Sequence, residues 1–316
     1  MGMLDEKIKE LARAQEDYVI KMRRYFHENP EASMKEKNTC EVIKRELDQM
    51  GLPYELVGDY GIIGRLETGR PGQTLLLRSD MDALSTQESE NNLVGKKACV
   101  SKIPGVGHLC GHDGHMAVLQ EALKVLTQIK ESLCGTIMFC FEQAEEGGWS
   151  IDAMLEALSH YHIDHAWALH LYADLDCGKV SVQPGPRMAS VGAFDVTVQG
   201  EGGHGSRPDL CVDPGACIVQ ILAQAPALLK ARLAPDEMVT FSVGCIQVGT
   251  KPNVIENEGR FIGSMRFYDY EAGKKAMDIL CRVIEGTAEI HGCTIRYNRK
   301  MVFNNATIND PDMSAI

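Results

Sequence analysis

Short apolar runs that alternate with stretches of helical periodicity constrain this chain most, because they require a sheet covered by helices. The runs at 62–63, 75–77 and 137–141 are bounded by glycine or proline turns and are too short for helices. Apolar residues at helical spacing fill residues 116–129 and 151–158. Strands that alternate with helices predict an α/β domain, with a mixed sheet flanked by helices.

The stretches on either side of these runs extend the same domain. Residues 4–26 have apolar positions at three- and four-residue steps, which predicts one amphipathic helix ending before Pro30. A second helix over residues 39–50 should end at Gly51, since glycine readily takes the left-handed conformation. A further strand is expected over residues 167–171.

The pattern changes after residues 184–186, where apolar and polar residues begin to alternate as in a strand with one wet face. Asp213 and Pro214 suit the start of a helix, and the order βαββαβ that follows predicts a ferredoxin-like sandwich. A chain of 316 residues also exceeds one ordinary hydrophobic core. We therefore expect a first domain over 1–186 and 298–316, with an inserted second domain over 187–297.

Composition narrows the possible partners and compartments. A formal net charge of -12 argues against nucleic acid and anionic membranes, which bind basic surfaces. The charged N-terminus has no apolar signal core, and no run of about 18 apolar residues occurs. Eleven cysteines without paired spacing indicate reduced thiols. These observations predict a cytoplasmic protein that acts on a small molecule.

The densest group of chemically active side chains lies in residues 107–115. Three histidines, one cysteine and one aspartate fall within eight positions there. Cys110 and His112 are two residues apart, so on an extended backbone both would point to one side and could share a metal ion. His115 and Asp113 could orient them. The alternative is a polar loop that caps the following helix, with Asp113 as the cap.

A pair of acidic residues follows the apolar run at 137–141. Glu145 and Glu146 stand where ligands bind in open α/β sheets, beyond the carboxyl end of a strand. One carboxylate could bind a metal ion while the other accepts a proton from water. Taken alone, the pair reads more simply as an acidic turn or helix start.

Two further strand ends carry the same kinds of side chain. The run at 75–77 leads to Asp80 and Asp82, and residues 166–171 include His170. A single histidine in an apolar strand is usually a core residue. Four strand ends that each offer a carboxylate, thiolate or imidazole are hard to explain as independent caps, and together they predict a metal site.

Taken in this order, these residues resemble the M20 metallopeptidases, in particular their amidohydrolase branch of aminoacylase-like, hippurate-hydrolase-like and indole-acetyl-amino-acid hydrolases. The resemblance covers almost the whole chain. It rests on the segments at 26–31, 78–84, 110–115, 145–146 and 202–206.

The resemblance implies a centre of two divalent ions, which could be zinc, manganese, nickel or cobalt. Cys110 would bridge them, and His112, Glu146 and His170 would supply further ligands. Glu145 would be the general base for attack of water on an amide carbonyl, and Asp80 would orient the centre. The expected substrate is a small N-acyl amino acid.

The resemblance also assigns roles in the second domain, which would serve as a lid and form a homodimer. His204 would hold the substrate's carbonyl oxygen in a neighbouring subunit's site. Asn253 and Arg266 would bind the substrate's carboxylate, for which a guanidinium is well shaped. From the residues alone, His204 could equally lie in a flexible glycine-rich loop, and Arg266 on a solvated strand face.

Family chains return to the first domain with a last histidine ligand, whereas this sequence has no histidine between Tyr297 and Ile316. One ion should then have one ligand fewer. Three alternatives stay open: a dipeptidase of the same group, a truncated, non-catalytic dimerising module, and a cysteine hydrolase with Cys110 as nucleophile and His112 as base.

Overall fold

Contacts between residues separate the chain into two units, Met1–Lys179 and Val180–Ile316. The computed structural model describes residues 2–147, 151–298 and 305–316. The first unit therefore ends a few residues before the predicted boundary at 186. Residues 298–316 were expected to belong to the first domain, but their described part, 305–316, lies in the second unit. Residues 299–304 lie outside the described part of the chain.

The helices of the first unit are α1 (Met3–Ala14), α2 (Glu16–Glu28), α3 (Lys37–Met50), α4 (His112–Gln128) and α5 (Ile151–Ser159). The prediction of one helix over residues 4–26 was wrong, because the helix is interrupted at Gln15. The apolar spacing continues across this break, so periodicity could not reveal it. Gly51 ends α3 in the left-handed conformation, with φ 65°, as expected.

The strands of the first unit are β1 (Tyr54–Val57), β2 (Gly61–Glu67), β3 (Thr74–Asp80), β4 (Asn91–Asn92), β5 (Gly95–Lys96), β6 (Thr136–Glu142) and β7 (His165–Ala168). Five of them form a sheet in the order β1-β2-β6-β3-β7. The central strand β6 is parallel to β3, and β3 is also parallel to β7. The strand β2 is antiparallel to both of its neighbours, β1 and β6. This confirms the predicted mixed sheet.

Helices cover both faces of this sheet, which explains why its central strand is apolar between its two end residues, Thr136 and Glu142. Phe139 and Phe141 of β6 pack with residues of α2, α3 and α4 on one face. Met138 and Cys140, the alternate residues, pack with Met154 of α5 on the other face. A strand buried on both sides has no position at which a polar side chain could reach water.

The second unit has the predicted ferredoxin-like topology. Its elements are β8 (Gly185–Met188), β9 (Ser190–Gln199), β10 (Gly203–His204), α6 (Pro214–Arg232), β11 (Val239–Val248), β12 (Val254–Ile255), β13 (Glu258–Phe267), α7 (Tyr270–His291), β14 (Thr294–Tyr297), β15 (Thr307–Asn309) and α8 (Pro311–Ser314). The main sheet has the order β11-β13-β9-β14, and all its pairings are antiparallel. The strand β15 pairs with β8 in a separate two-stranded sheet.

Helix α6 begins as predicted, since the Asp213 carboxylate accepts hydrogen bonds from the backbone N–H groups of Gly215 and Ala216. By length and composition alone, it is the one helix in the described part of the chain that could cross a membrane. One side of it, including Ile218 and Ile221, is buried in the core of the second unit. This packing is that of a core helix.

The close approach of β2 to Phe139 gives a test of this packing. A Cβ atom at Gly64 would lie 2.6 Å from the carbonyl oxygen of Pro53 and would collide with the Phe139 ring. We expect Gly64→Ala to lower the free energy of unfolding by about 1–3 kcal/mol, as overpacking generally does. Urea denaturation would measure the change.

Gly286→Ala is the matched control, because a Cβ atom there would meet nothing within 4 Å in the interior of α7. Alanine is more favourable than glycine in a helix by about 0.5–1 kcal/mol, so this variant should be slightly more stable. Equal effects of the two substitutions would contradict the packing described for β2.

Candidate metal centre

The chemically active side chains gather at one edge of the first unit's sheet. Asp80, the last residue of β3, stands opposite Glu142, the last residue of β6, in the parallel register. The segments that follow β3, β6 and β7 therefore leave the sheet at the same edge. They carry Asp82, the Glu145–Glu146 pair and His170, and the N-terminus of α4 brings Cys110 and His112 to the same place.

Cys110 and His112 approach each other through a turn that the sequence interpretation missed. An extended backbone was expected there, but Gly111 has φ 90°, which is left-handed, and His112 is already the first residue of α4. The helix thus begins four residues earlier than predicted. Possible ligand atoms of Cys110, His112 and His170 nevertheless lie within 4.8 Å of one another.

The ring of His112 presents one nitrogen to a group of carboxylates. Its Nδ1 atom donates a hydrogen bond to the carbonyl oxygen of Asp82 at 2.9 Å, because a carbonyl can only accept. The Nε2 atom is buried without a hydrogen-bond partner among the described residues. It lies 3.6 Å from Asp80 Oδ2, 3.8 Å from Glu146 Oε1 and 3.9 Å from Glu145 Oε2. A free imidazole lone pair beside carboxylates is suited to bind a cation.

The same surroundings shift the protonation of His112. Burial favours the neutral ring, but the hydrogen bond to Asp82 and the charges of Asp80 and Glu145 outweigh it, so the pKa of His112 is raised. The negative charge that favours a proton at this position also favours a metal ion.

His170 is oriented in the same way as His112. Its Nδ1 atom donates to the carbonyl oxygen of Leu171 at 2.7 Å, which leaves the Nε2 lone pair 3.4 Å from the Cys110 sulfur. Burial lowers the pKa of His170, so the ring favours the neutral form that metal ions require. His170 was expected within a strand, but β7 ends at Ala168 and the histidine lies just beyond it.

Cys110 is a poor nucleophile in these surroundings. Burial, together with the nearby carboxylates of Glu146 and Glu145, raises the pKa of its thiol to about 12. A catalytic cysteine needs positive charge that lowers its pKa, and here the neighbouring charges are negative. The geometry therefore favours Cys110 as a metal ligand over the cysteine-hydrolase alternative.

Glu145 has a raised pKa and a partly open side chain, 41% of which is exposed. Burial is the main cause, and the charges of Asp80 and Glu146 add to it, whereas Arg78 and His112 act in the opposite direction. A carboxylate whose pKa is moved towards neutrality can both accept and return a proton.

His115 does not point a free nitrogen at the centre, although it lies close to Asp80 and His112. Its Nε2 atom accepts a hydrogen bond from the backbone N–H of Leu171 at 2.8 Å, so its Nδ1 atom donates to Asp80 Oδ1 at 2.7 Å. His115 thereby fixes the segment that carries His170. A Cβ atom at Gly114 would lie 2.5 Å from Leu171 Cδ1, so this glycine leaves room for the leucine.

Asp80, for which the family resemblance implied an orienting role, is held from both sides. Besides His115, its partner is Arg78, whose Nη1 atom donates to Asp80 Oδ2 at 2.7 Å and whose Nη2 atom donates to Glu142 at 2.6 Å. Burial would raise the pKa of Asp80, but the bond from His115 and the charge of Arg78 lower it well below the usual range. Asp80 therefore stays ionised.

Asp113 faces away from the centre and binds residues that the sequence interpretation left without a role. Its Oδ2 atom accepts from His27 Nδ1 and from Arg23 Nε, both at 2.8 Å. The other nitrogen of His27 lies 2.9 Å from Glu88 Oε1. Arg23 and His27 are four residues apart, so the sequence could place them on one face of a helix. The sequence did not indicate that this face would contact Asp113 and Glu88.

The three predicted substrate-binding residues lie in the second unit. His204 on β10 stands opposite Val254 on β12, and Gly205 donates its N–H to the carbonyl oxygen of Asn253 at 2.9 Å, so His204 and Asn253 are neighbours. Both side chains are exposed. Arg266 is also exposed, on β13, where Met265 and Phe267 on either side of it are buried.

Comparison with known proteins agrees with this geometry. Residues 76–313 match peptidase family M20/M25/M40. The chain belongs to this family. Its M20 relatives include thermostable carboxypeptidase 2 of Saccharolobus solfataricus, which is 33% identical over 98% of this chain and 79% of its own length. The N-acyl-L-amino acid amidohydrolase of Geobacillus stearothermophilus is 32% identical over 93% of this chain and 79% of its own length.

A solved M20 structure shows the same likeness. The YXEP protein of Bacillus subtilis, described as a dinuclear metal-binding peptidase of the M20 family, aligns with a TM-score of 0.77 and 29% identity. The alignment covers 96% of this chain and 78% of that one. Membership in the M20 family makes this chain a metal-dependent hydrolase of amide or peptide bonds.

The side chains present fit the divalent ions that M20 enzymes use. The orphaned Nε2 atom of His112, the Nε2 atom of His170 and the Cys110 sulfur are the nitrogen and sulfur donors expected of a transition-metal site. A second group, made of Asp82, His112 and Glu145, also lies within 4.8 Å. The clusters could therefore hold two metal ions.

The support that His115 gives to His170 can be tested by metal affinity. We expect His115→Ala to weaken cobalt(II) binding by about 10- to 100-fold, because the loss of a partner that orients a ligand usually has this effect. Titration followed by the visible absorption of cobalt(II) would measure it. His162→Ala is the control, since that side chain is 88% exposed, and it should bind cobalt(II) like wild type. Unchanged affinity of His115→Ala would contradict the assigned support.

The contacts of His27 with Asp113 and Glu88 predict that the stability of the protein depends on pH. The hydrogen bond that His27 donates to Asp113 is the main cause of its raised pKa; burial acts in the opposite direction, and the hydrogen bond to Glu88 adds to the rise. Because the folded pKa lies above the unfolded value of about 6.5, the stabilisation is complete below that pH and is lost as pH rises through the folded pKa.

We therefore compare urea unfolding of metal-free wild type and His27→Gln between about pH 6 and pH 9. The variant should be less stable by about 3 kcal/mol at the acidic end, where it removes the positive charge that lies between two buried carboxylates. The difference between the two proteins should shrink with increasing pH. A constant difference would show that folding does not shift the pKa of His27.

Proposed function

We propose that this M20 enzyme hydrolyses the amide bond of small N-acyl amino acids. The convergence of the two Nε2 atoms and the sulfur of Cys110 beside Glu145 and Glu146 is the observation that carries the proposal. The amidohydrolase relative, named for N-acyl-L-amino acids, supports this class of substrate. N-acetylcysteine deacetylase of Bacillus subtilis, which is 31% identical over 88% of the chain, supports it further.

In this proposal, some residues hold the metal ions and another transfers protons. Cys110, His112, Glu146 and His170 would hold the ions, which when bound acidify water and stabilise negative charge on a carbonyl oxygen. Glu145 Oε2 would accept the proton of the attacking water and return it to the leaving nitrogen. Its raised pKa suits both steps.

The roles of the second unit remain predictions within this proposal. We infer that His204, Asn253 and Arg266 bind the substrate and that the second unit forms a homodimer. The side chains of these three residues are exposed and therefore available to bind a substrate. The cytoplasmic location also remains a prediction.

A peptidase that cleaves dipeptides is the second candidate, because the Saccharolobus relative is named a carboxypeptidase. Purified protein, supplied in turn with zinc, manganese, cobalt and nickel, should be assayed with N-acetyl and N-benzoyl amino acids beside dipeptides. We expect kcat/KM to be higher for the N-acyl amino acids. A clear preference for dipeptides would favour the second candidate.

The test of mechanism is Glu145→Gln, which keeps the shape of the side chain but removes its capacity as a base. We expect kcat to fall by about 10²- to 10⁴-fold while metal content is unchanged. Glu156→Gln, on the exposed side of α5, is the matched control and should keep wild-type kcat. Equal, near-zero turnover in wild type and Glu145→Gln would instead indicate a non-catalytic dimerising module.

Removal of metal distinguishes the metal-dependent mechanism from the cysteine-hydrolase alternative. A chelator should abolish turnover, and added metal should restore it, because water needs the ions to attack an amide. Full activity of metal-free protein would contradict the metal-dependent mechanism and would favour Cys110 as a nucleophile.

A further inference from the structure

The turn that carries Glu145 and Glu146 has a backbone conformation that needs external support. Ala144, fully buried, has φ 52° and is one of two non-glycine residues with positive φ in the described part of the chain. The left-handed region is unfavourable for a residue with a Cβ atom, and it persists only where the surrounding structure imposes it.

Three hydrogen bonds tie residues 143, 144 and 146 of this turn to the surrounding structure. Gln143 Oε1 accepts from the backbone N–H of Gly61 at 3.0 Å. Glu36 Oε1 accepts from the N–H of Ala144 itself at 2.6 Å. Asp82 Oδ2 accepts from the N–H of Glu146 at 3.0 Å.

Glu36 is the unusual member of this group, because a carboxyl group is costly to bury. The side chain is completely buried at the start of α3, and no basic side chain pairs with it among the residues described. Its Oε2 atom has no hydrogen-bond partner there either. An apolar residue would be less costly to bury, but it could not accept the bond from Ala144, and the backbone N–H groups of Met34 and Glu36 also favour the carboxylate.

The consequence of the bond from Ala144 is the direction of the next side chain. A left-handed residue reverses the course of the backbone, and Glu145 follows immediately, with its Oε2 atom 3.9 Å from His112 Nε2. If Ala144 returned to a right-handed or extended conformation, the Cα–Cβ bond of Glu145 would point elsewhere.

We propose that Glu36 is a positioning residue, which holds Ala144 in the left-handed conformation and so directs the Glu145 carboxylate into the metal centre. The inference rests on the proposed function, in which Glu145 is the general base. Burial and the charge of Asp82 raise the pKa of Glu36, which agrees with a carboxyl group that acts as a hydrogen-bond acceptor without a cationic partner.

Two substitutions separate this role from a merely structural one. Glu36→Gln keeps an Oε1 acceptor for the Ala144 amide, whereas Glu36→Leu removes it at similar volume. We expect Glu36→Leu to lower kcat by about 100-fold with KM changed less than about threefold, because a base misplaced by about 1 Å loses this much. Glu36→Gln should restore kcat to within about threefold of wild type.

Hydrogen exchange gives a readout that does not depend on activity. Followed by mass spectrometry, peptides that contain Ala144 should exchange faster in Glu36→Leu than in wild type, and at the wild-type rate in Glu36→Gln. Glu31→Leu is the matched control, because the Glu31 carboxylate accepts from the N–H of Thr39 in α3 and makes no hydrogen bond to the turn among the described residues. It should affect stability but neither kcat nor exchange at Ala144.

The outcomes distinguish the two proposals. If wild type hydrolyses no amide, the proposed function fails, while exchange at Ala144 still tests the hold by Glu36. A folded Glu36→Leu protein with wild-type exchange and kcat overturns the positioning role, as does a Glu36→Gln protein impaired as much as Glu36→Leu. If Glu36→Leu does not fold, rapid exchange of Ala144 in wild type would overturn it, and slow exchange there with full activity of Glu36→Gln would support it.

Discussion

The buried lone pair of His112 among carboxylates is the interaction on which the centre depends. Three carboxylate oxygens lie within 3.9 Å of its Nε2 atom, which has no hydrogen-bond partner in the described part of the chain. Negative charges gathered at one place raise the free energy of the folded state unless a cation or protons neutralise them. A divalent ion would do so, and its binding would then add directly to the stability of the first unit.

The same constraint explains why the possible ligands are fixed by the backbone. His112 and His170 each use Nδ1 to donate to a carbonyl oxygen, which selects the tautomer with a free Nε2 atom. Because carbonyl groups neither titrate nor change charge, this orientation persists whatever the protonation of the nearby acids. Asp80, in contrast, is held by a group that carries charge, Arg78.

Much of the fold followed from periodicity, because the apolar run of β6 and the alternation of apolar and polar residues along β9 are clear in the sequence. The polar side chains Asp195 and Thr197 of β9 are nevertheless buried, although a wet face was predicted there. The sites at strand ends were also predictable, since parallel strands such as β3 and β6 must end at one edge. The turn at Gly111 was not, because glycine permits a left-handed residue without requiring one. The break at Gln15 left no trace in the spacing of apolar residues, and the partners of Asp113 come from elements far apart in sequence.

The buried acids around the centre show why side-chain partners matter more than residue type. Asp113 is ionised beside His27 and Arg23, so its burial is compensated by opposite charge. Glu36 has no such compensation and contacts a backbone amide instead. In the sequence both are acids near apolar segments, and only the fold tells them apart. Glu36, the acid without an opposite charge, lies behind the turn of Glu145, where a fixed direction of the side chain matters for chemistry. Asp113, the acid with opposite charges beside it, connects α2 to α4, where it can contribute to stability.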